Sequence, residues 1–253
     1  SSNRISKLFL VVFLCSLSLV LFSSFSSAVD LNDEKEIALL SVKQLPNGSY
    51  VGGTASLSLT IREGSGSVYI QSFPTSQIDT QTATRIANEV ACDLSTVDCG
   101  EYDFSYTIHV GSSLISGPSA GGATALLTLA TLEGISLNDD FAMTGAITSG
   151  GIITPVDGII EKVTAAQDAG FSKVFVPELS LIHANNSLNN SFFNVSANEA
   201  TPIISSNSSN NNSTNTSITS STNDSVGQSL QDELDQLSID VVSVISIQEA
   251  LVN

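Results

Sequence analysis

Polar and apolar residues alternate along residues 54–61 (TASLSLTI) and 67–72 (SVYIQS), on either side of Glu63-Gly64-Ser65-Gly66. A period of two marks half-buried strands, and the glycine-rich break between them predicts a hairpin. From Thr80 to Leu94 the period lengthens, so that Ala83, Ile86, Val90 and Leu94 share one face of a helix. Alternation returns over 104–110 (FSYTIHV). After a Gly/Ser turn, 119–132 (SAGGATALLTLATL) is almost wholly Ala, Leu, Gly and Thr, which predicts a buried helix whose N-terminus falls at Ser119. Residues 141–147 and 152–156 read as paired strands about Ser149-Gly150-Gly151. Asp157 reads as the cap of a helix that closes at Gly170, and 172–176 (SKVFV) as a short buried strand. A strand over 239–247 (IDVVSVISI) and a short helix follow near the end.

The pattern fails in two places. Arg4 and Lys7 precede an apolar run from Leu8 to Phe22, then small residues ending in Ser26-Ser27-Ala28. That order predicts a secretory signal cleaved after Ala28, with an uncleaved membrane anchor as the alternative. Between Ala184 and Ser225, 29 of 42 residues are Asn, Ser or Thr and none is Lys or Arg. Such a stretch buries too little apolar surface to offset its ordering entropy, so it reads as a disordered insertion in a loop. It holds eight Asn-x-Ser/Thr sequons, at Asn185, Asn189, Asn194, Asn207, Asn211, Asn212, Asn215 and Asn223, and Asn47 gives a ninth elsewhere. In an exported protein these are candidate glycan positions, although a tract of this composition also produces sequons by chance.

Composition narrows the classes of function. The 253 residues carry 25 acids against 8 bases, a formal charge of −17, and no cluster of Lys or Arg. A nucleic-acid partner is excluded on this ground, because displacing condensed counterions needs a basic face. Cys92 and Cys99 flank the turn-rich segment DLSTVD. In an oxidising compartment they are a candidate disulfide, the alternative being two separate buried thiols.

The chemistry concentrates at Gly117-Pro118-Ser119-Ala120-Gly121. Gly117 permits a tight turn, and Ser119 and Ala120 lead into a helix whose backbone N–H groups and positive dipole end would face a developing oxyanion. The base for such a serine is harder to find. His109 and His183 are the only histidines, and His183 borders the Asn/Ser/Thr tract. Lys162 sits among Ile159, Ile160, Val163, Ala165 and Ala166. A lysine facing an apolar interior loses its charge more easily, and the neutral amine can accept a proton from a serine hydroxyl. Each residue also has an ordinary explanation, Ser119 as a helix cap and Lys162 as a snorkelling surface group.

Residues 116–178 change that balance. The GPSAG serine loop, the L-x-G-I turn at 132–135, the D-x-AMTG-x-I-T stretch, the P-V-x-G lead, the Glu-Lys pair, the AA-x-x-AG helix end and the K-V-x-V-PE strand occur in one order. In that order and spacing the chain resembles the proteolytic domain of the Lon protease family. The resemblance implies an α+β fold with a mixed β-sheet and flanking helices. It also implies a dyad with Ser119 as nucleophile and Lys162 as general base, Thr144 holding the lysine by a hydrogen bond, and often a six-membered homo-oligomeric ring. Gly117 and Ala120 would be supporting positions of the serine loop. No cofactor is implied.

On this reading residues 1–28 are the signal or anchor, 29–183 the main part of the proteolytic domain, 184–229 the insertion, and 230–253 the domain's last strand and helix. The departures are local. Ile115 and Ser116 stand where the family usually has Lys-Asp, Ala146 where an acid is common, and Gly150 where a base is expected. No G-x-x-x-x-G-K-[ST] loop occurs in the sequence. The expected activity is therefore an exported or membrane-tethered, ATP-independent serine endopeptidase acting on unfolded or extended protein substrates. The competing readings are a non-catalytic surface or assembly module of the same fold, a mainly self-processing protease, and a His-dependent esterase.

Overall fold

The computed structural model of the chain describes residues 31–111, 116–181 and 227–253. The expected export signal, residues 184–226 of the insertion with its eight sequons, Ile115 and His183 lie outside the described residues; residues 227–229, counted with the insertion, open a helix. Among the described residues no helix is long and apolar enough to cross a membrane.

A seven-stranded mixed sheet forms the centre, in the order β3-β4-β2-β1-β5-β8-β9. Its strands are β1 (Glu34–Gln44), β2 (Tyr50–Glu63), β3 (Val68–Phe73), β4 (Tyr102–Val110), β5 (Phe141–Met143), β8 (Lys173–Pro177) and β9 (Asp240–Val244). β6 (Ala146–Ile147) and β7 (Ile153–Thr154) form a separate two-stranded hairpin. The helices are α1 (Ile78–Leu94), α2 (Gly121–Leu132), α3 (Ile159–Asp168), α4 (Gly227–Leu234) and α5 (Ile247–Val252). This is the α+β arrangement of mixed sheet and flanking helices.

The period-two rule assigns the layers. Ile37, Leu39, Phe141, Met143 and Phe175 point to one face, where they pack with α1, α2 and α5. Their neighbours Ala38, Leu40, Ala142, Val174 and Val176 point to the other, against α3 and Leu234 of α4. The central strands are therefore covered on both faces, as near-continuous apolar runs require. All twelve residues of α2 are buried. Its threonines satisfy their hydroxyls by bonding the carbonyl one turn back: Thr124 to Ala120 at 2.8 Å, Thr128 to Thr124 at 2.7 Å and Thr131 to Leu127 at 2.7 Å.

Three local expectations are corrected. β2 and β3 do not pair with each other; β4 lies between them, antiparallel to β2 and parallel to β3. Asp103 of β4 explains the crossing, because its carboxylate accepts the N–H groups of Ser65 and Ser67 at 2.8 and 2.9 Å and holds the connecting turn over β4. Those two bonds also keep the Asp103 carboxyl below the usual carboxylate range.

Residues 141–147 are not one hairpin strand. Phe141–Met143 enters the central sheet parallel to β1 and β8, and only Ala146 and Ile147 pair with Thr154 and Ile153. Gly145 makes the break: a Cβ there would lie 2.5 Å from Ile153 Cγ2.

Asp157 does not cap α3; Gly158 occupies the N-cap in the left-handed conformation, without a side-chain bond. The C-terminus closes at Gly170 through a Schellman pair, Gly170 N–H to Gln167 O at 3.0 Å and Phe171 N–H to Ala166 O at 3.1 Å.

Candidate active site

Chain direction places the two singled-out side chains. α2 runs into β5, so its N-terminus lies at the carboxyl edge of β5; α3 leaves from that edge and returns to the start of β8. Ser119 precedes α2 and Lys162 belongs to the first turn of α3, so both stand at this edge, with Thr144 and Gly145 continuing β5. Two backbone bonds dock the serine loop there: Gly145 N–H to Ser119 O and Gly122 N–H to Gly145 O, each 2.9 Å. Thr144 N–H prolongs the sheet by donating to Phe175 O at 3.1 Å.

Ser119 is not the cap of α2. Ala120 takes that position in a helical conformation, with no side-chain capping bond. Ser119 is half-buried, and among the described residues its hydroxyl makes no hydrogen bond. The N–H groups of Ser119 and Ala120 likewise donate to no acceptor among the described residues. Two adjacent free donors beside a free hydroxyl have the composition of an oxyanion site. Gly117 is different, since its N–H is taken by Asp79 Oδ2 at 2.8 Å. It shapes the loop, with φ +95°, and donates nothing to a substrate.

Lys162 is 2% exposed. Ile159, Val163 and Ala166 of its own helix are buried with Leu40 and Ala142 of the sheet. Burial pushes the amine down from 10.5 to about 8, opposed by the nearby charges of Asp157 and Glu161. It makes no hydrogen bond or ion pair through Nζ among the described residues. Thr144 is fully buried, and its Oγ1 has no hydrogen-bond partner among the described residues. The hydrogen bond implied between Thr144 and Lys162 is therefore not formed in this structure.

The remaining sequence candidates separate from this site. His109 lies on β4 and stacks on Phe73, ring centroids 5.1 Å apart. It has no hydrogen bond to a serine or an acid among the described residues, so nothing orients it as a base. Cys92 and Cys99 are joined by a disulfide, their Cα atoms 5.9 Å apart, between the last turn of α1 and a 3₁₀ turn at Cys99–Glu101. Among the described residues no three His, Cys, Asp or Glu side chains are grouped to hold a metal ion. A cleft of about 760 Å³ lined by Glu34, Leu127, Thr131, Asn138 and Phe141 opens at the far end of α2 from Ser119 and shares no residue with the site.

Comparison with known proteins falls on the same segment. Residues 83–189 match the Lon protease (S16) C-terminal proteolytic domain, a span that includes Ser119, Thr144 and Lys162. Lon protease 1 of Herpetosiphon aurantiacus is 41% identical over 80 residues, 32% of this chain and 10% of that protein. Lon protease of Clostridium beijerinckii is 38% identical over 94 residues, 36% of this chain and 12% of the relative. The Azorhizobium caulinodans Lon protease is 44% identical over 73 residues, covering 28% and 8%. The chain spans about a tenth of the length of these curated relatives. The α+β sheet, the free serine before α2 and the buried lysine on α3 thus stand in a chain whose residues 83–189 are similar to the proteolytic domain of the Lon protease family.

Proposed function

We propose that the chain is a serine endopeptidase in which Ser119 is the nucleophile and Lys162 the general base. The observation that carries this reading is Lys162 itself, a buried amine that loses its charge near pH 8 at the sheet edge that also carries an uncommitted serine hydroxyl. Neutral Lys162 Nζ takes the Ser119 proton as Oγ attacks the scissile carbonyl carbon. The resulting oxyanion is received by the N–H groups of Ser119 and Ala120. The lysine returns its proton to the leaving amine, giving an acyl-enzyme and a new N-terminus. It then takes a proton from water, whose oxygen attacks the ester carbon, and returns that proton to Ser119 Oγ as the acid product leaves. Thr144 Oγ1 accepts a hydrogen bond from Lys162 in the working site, which recovers the about 1–3 kcal/mol that a buried unpaired hydroxyl costs.

The substrates are unfolded or extended protein chains; these 253 residues carry no P-loop and would cleave them without binding nucleotide themselves. The protein works outside the cytoplasm, either released or tethered through residues 1–28. The Cys92–Cys99 disulfide supports an oxidising compartment. Assembly into a homo-oligomeric ring belongs to the same reading.

The test is hydrolysis of unfolded fluorescent casein by the full chain without ATP, comparing wild type with Ser119→Ala and Lys162→Ala. Loss of activity in both variants is expected. A folded wild type that neither turns over casein nor reacts with a serine-directed phosphonate fluoride overturns the proposal in favour of a non-catalytic module. Cleavage confined to the protein's own 184–225 tract, absent in Ser119→Ala, identifies self-processing instead.

A further inference from the structure

Both backbone polar groups of Gly117, two residues before Ser119, are taken by the first turn of α1. Asp79 Oδ2 accepts the Gly117 N–H at 2.8 Å, and Thr80 Oγ1 donates to the Gly117 carbonyl at 3.1 Å. The other carboxylate oxygen, Asp79 Oδ1, accepts the Thr80 N–H at 2.7 Å, which fixes the acid against its own helix end. There its charge also meets the positive end of the helix dipole. Thr80 is 1% exposed, so its hydroxyl has no competing water. Counting forward, Pro118 O accepts the Gly121 N–H at 3.0 Å, and Ser119 O accepts the Gly145 N–H at 2.9 Å. The serine is thus suspended between two anchors, α1 upstream and the end of β5 downstream. The backbone immediately after Ser119 runs into the buried helix α2 and has no freedom of its own.

We propose that Asp79 and Thr80 are positioning residues for Ser119: they clamp Gly117 and thereby set where the Ser119 hydroxyl and the free N–H groups of Ser119 and Ala120 point. This rests on the serine-protease reading above. The physical reason is leverage. Without the clamp, Gly117, a glycine at φ +95°, is free to rotate, and among the described residues the loop upstream of Ser119 keeps only the local Pro118 O to Gly121 N–H bond, which ties it to no neighbouring element. A displacement of about 1 Å at a nucleophile costs on the order of 100-fold in rate.

Thr80 offers an isosteric test. Thr80→Val removes only the hydroxyl, Thr80→Ser keeps it, and Asp79→Ala removes the acceptor from the exposed end of α1. Two measurements on the full chain separate the outcomes. The first is hydrogen exchange at the Gly117 amide, expected to be protected in wild type and to exchange quickly in Asp79→Ala while the amides of α1 beyond its first turn stay protected. A wild-type Gly117 amide that exchanges like an unbonded one overturns the clamp. The second is the acylation rate of Ser119 by a phosphonate fluoride, with kcat and KM on casein. A fall of about 10- to 100-fold in acylation and kcat, with KM within about twofold, is expected for Thr80→Val and Asp79→Ala, and near-wild-type rates for Thr80→Ser. Equal acylation rates in folded Thr80→Val and wild type overturn the positioning role alone. A folded wild type that is not labelled at Ser119 overturns the serine-protease reading, and the positioning role with it.

Discussion

The Gly145 N–H donates to the carbonyl of Ser119 at 2.9 Å, so the residue that follows Thr144 at the end of β5 holds the candidate nucleophile directly. The return bond, Gly122 N–H to Gly145 O, brings the start of α2 flat against the same strand end. A Cβ at Gly122 would stand 2.9 Å from Met143 Cε, which can swing aside, and 3.2 Å from Gly145 O, a backbone atom that would have to give by a few tenths of an ångström.

Gly122→Val is therefore expected to separate α2 from β5. Overpacking of this kind costs about 1–3 kcal/mol. Chemical denaturation reads the loss, and Gly122→Ala should fall between Val and wild type. A Val variant as stable as wild type would show that the two bonds do not fix the docking.

Activity should follow the protonation of Lys162. Because burial lowers its amine to about 8, kcat/KM is expected to rise through about pH 8 and level off above it. Initial rates between about pH 6 and pH 10 read the profile. Lys162→Arg, which stays charged throughout, should be inactive at every pH. A flat wild-type profile would remove Lys162 as the base.

The same burial makes Lys162 a cost to folding. The unfolded chain keeps its proton up to about 10.5 and the folded chain only to about 8, so between these values the unfolded state binds more protons and stability rises with pH. Below pH 8 the cost is complete, roughly 3 kcal/mol from the shift. Lys162→Met should raise stability in urea at pH 7, and its advantage should shrink as pH climbs through this window. An advantage that does not change with pH would assign the gain to packing instead.

The disulfide closes a short loop, its cysteines seven residues apart. Loop-closure entropy then gives about 2–3 kcal/mol. Replacing both cysteines by serine should lower the unfolding free energy read from urea denaturation by that amount, and reduction of the wild type should reproduce the loss.

Much of the local structure was legible from residue spacing. The helix over 80–94, the buried helix before β5, the Gly170 stop and the apolar strand at 172–176 follow from short-range periodicity and turn chemistry, which a few neighbouring residues settle. Ser119 and Lys162 drew notice locally, as a serine in a glycine-bracketed turn and a lone base among aliphatic neighbours, but their pairing as nucleophile and base came from the family resemblance and stays part of the proposal. Asp79 and Thr80 gave no such sign. An acid and a threonine in the first turn of a helix are ordinary there, and only their contact with Gly117 distinguishes them.

Pairing was the larger gap. Alternation tells which side of a strand is buried but does not name the strand beside it, and so 54–61 and 67–72 read as a hairpin. In the structure, Asp103, reached from 38 and 36 residues away, carries the turn across β4. What the sequence alone determined about this protein is therefore its local elements, its family resemblance and the types of residue available for catalysis. Tertiary structure decided which strands meet, that Gly145 rather than a side-chain cap holds Ser119, that Lys162 is buried deeply enough to lose its charge near pH 8, and that α1 grips the serine loop. Each of these depends on groups far apart in the chain, whose meeting is selected by burial of the whole sheet and not by any local preference.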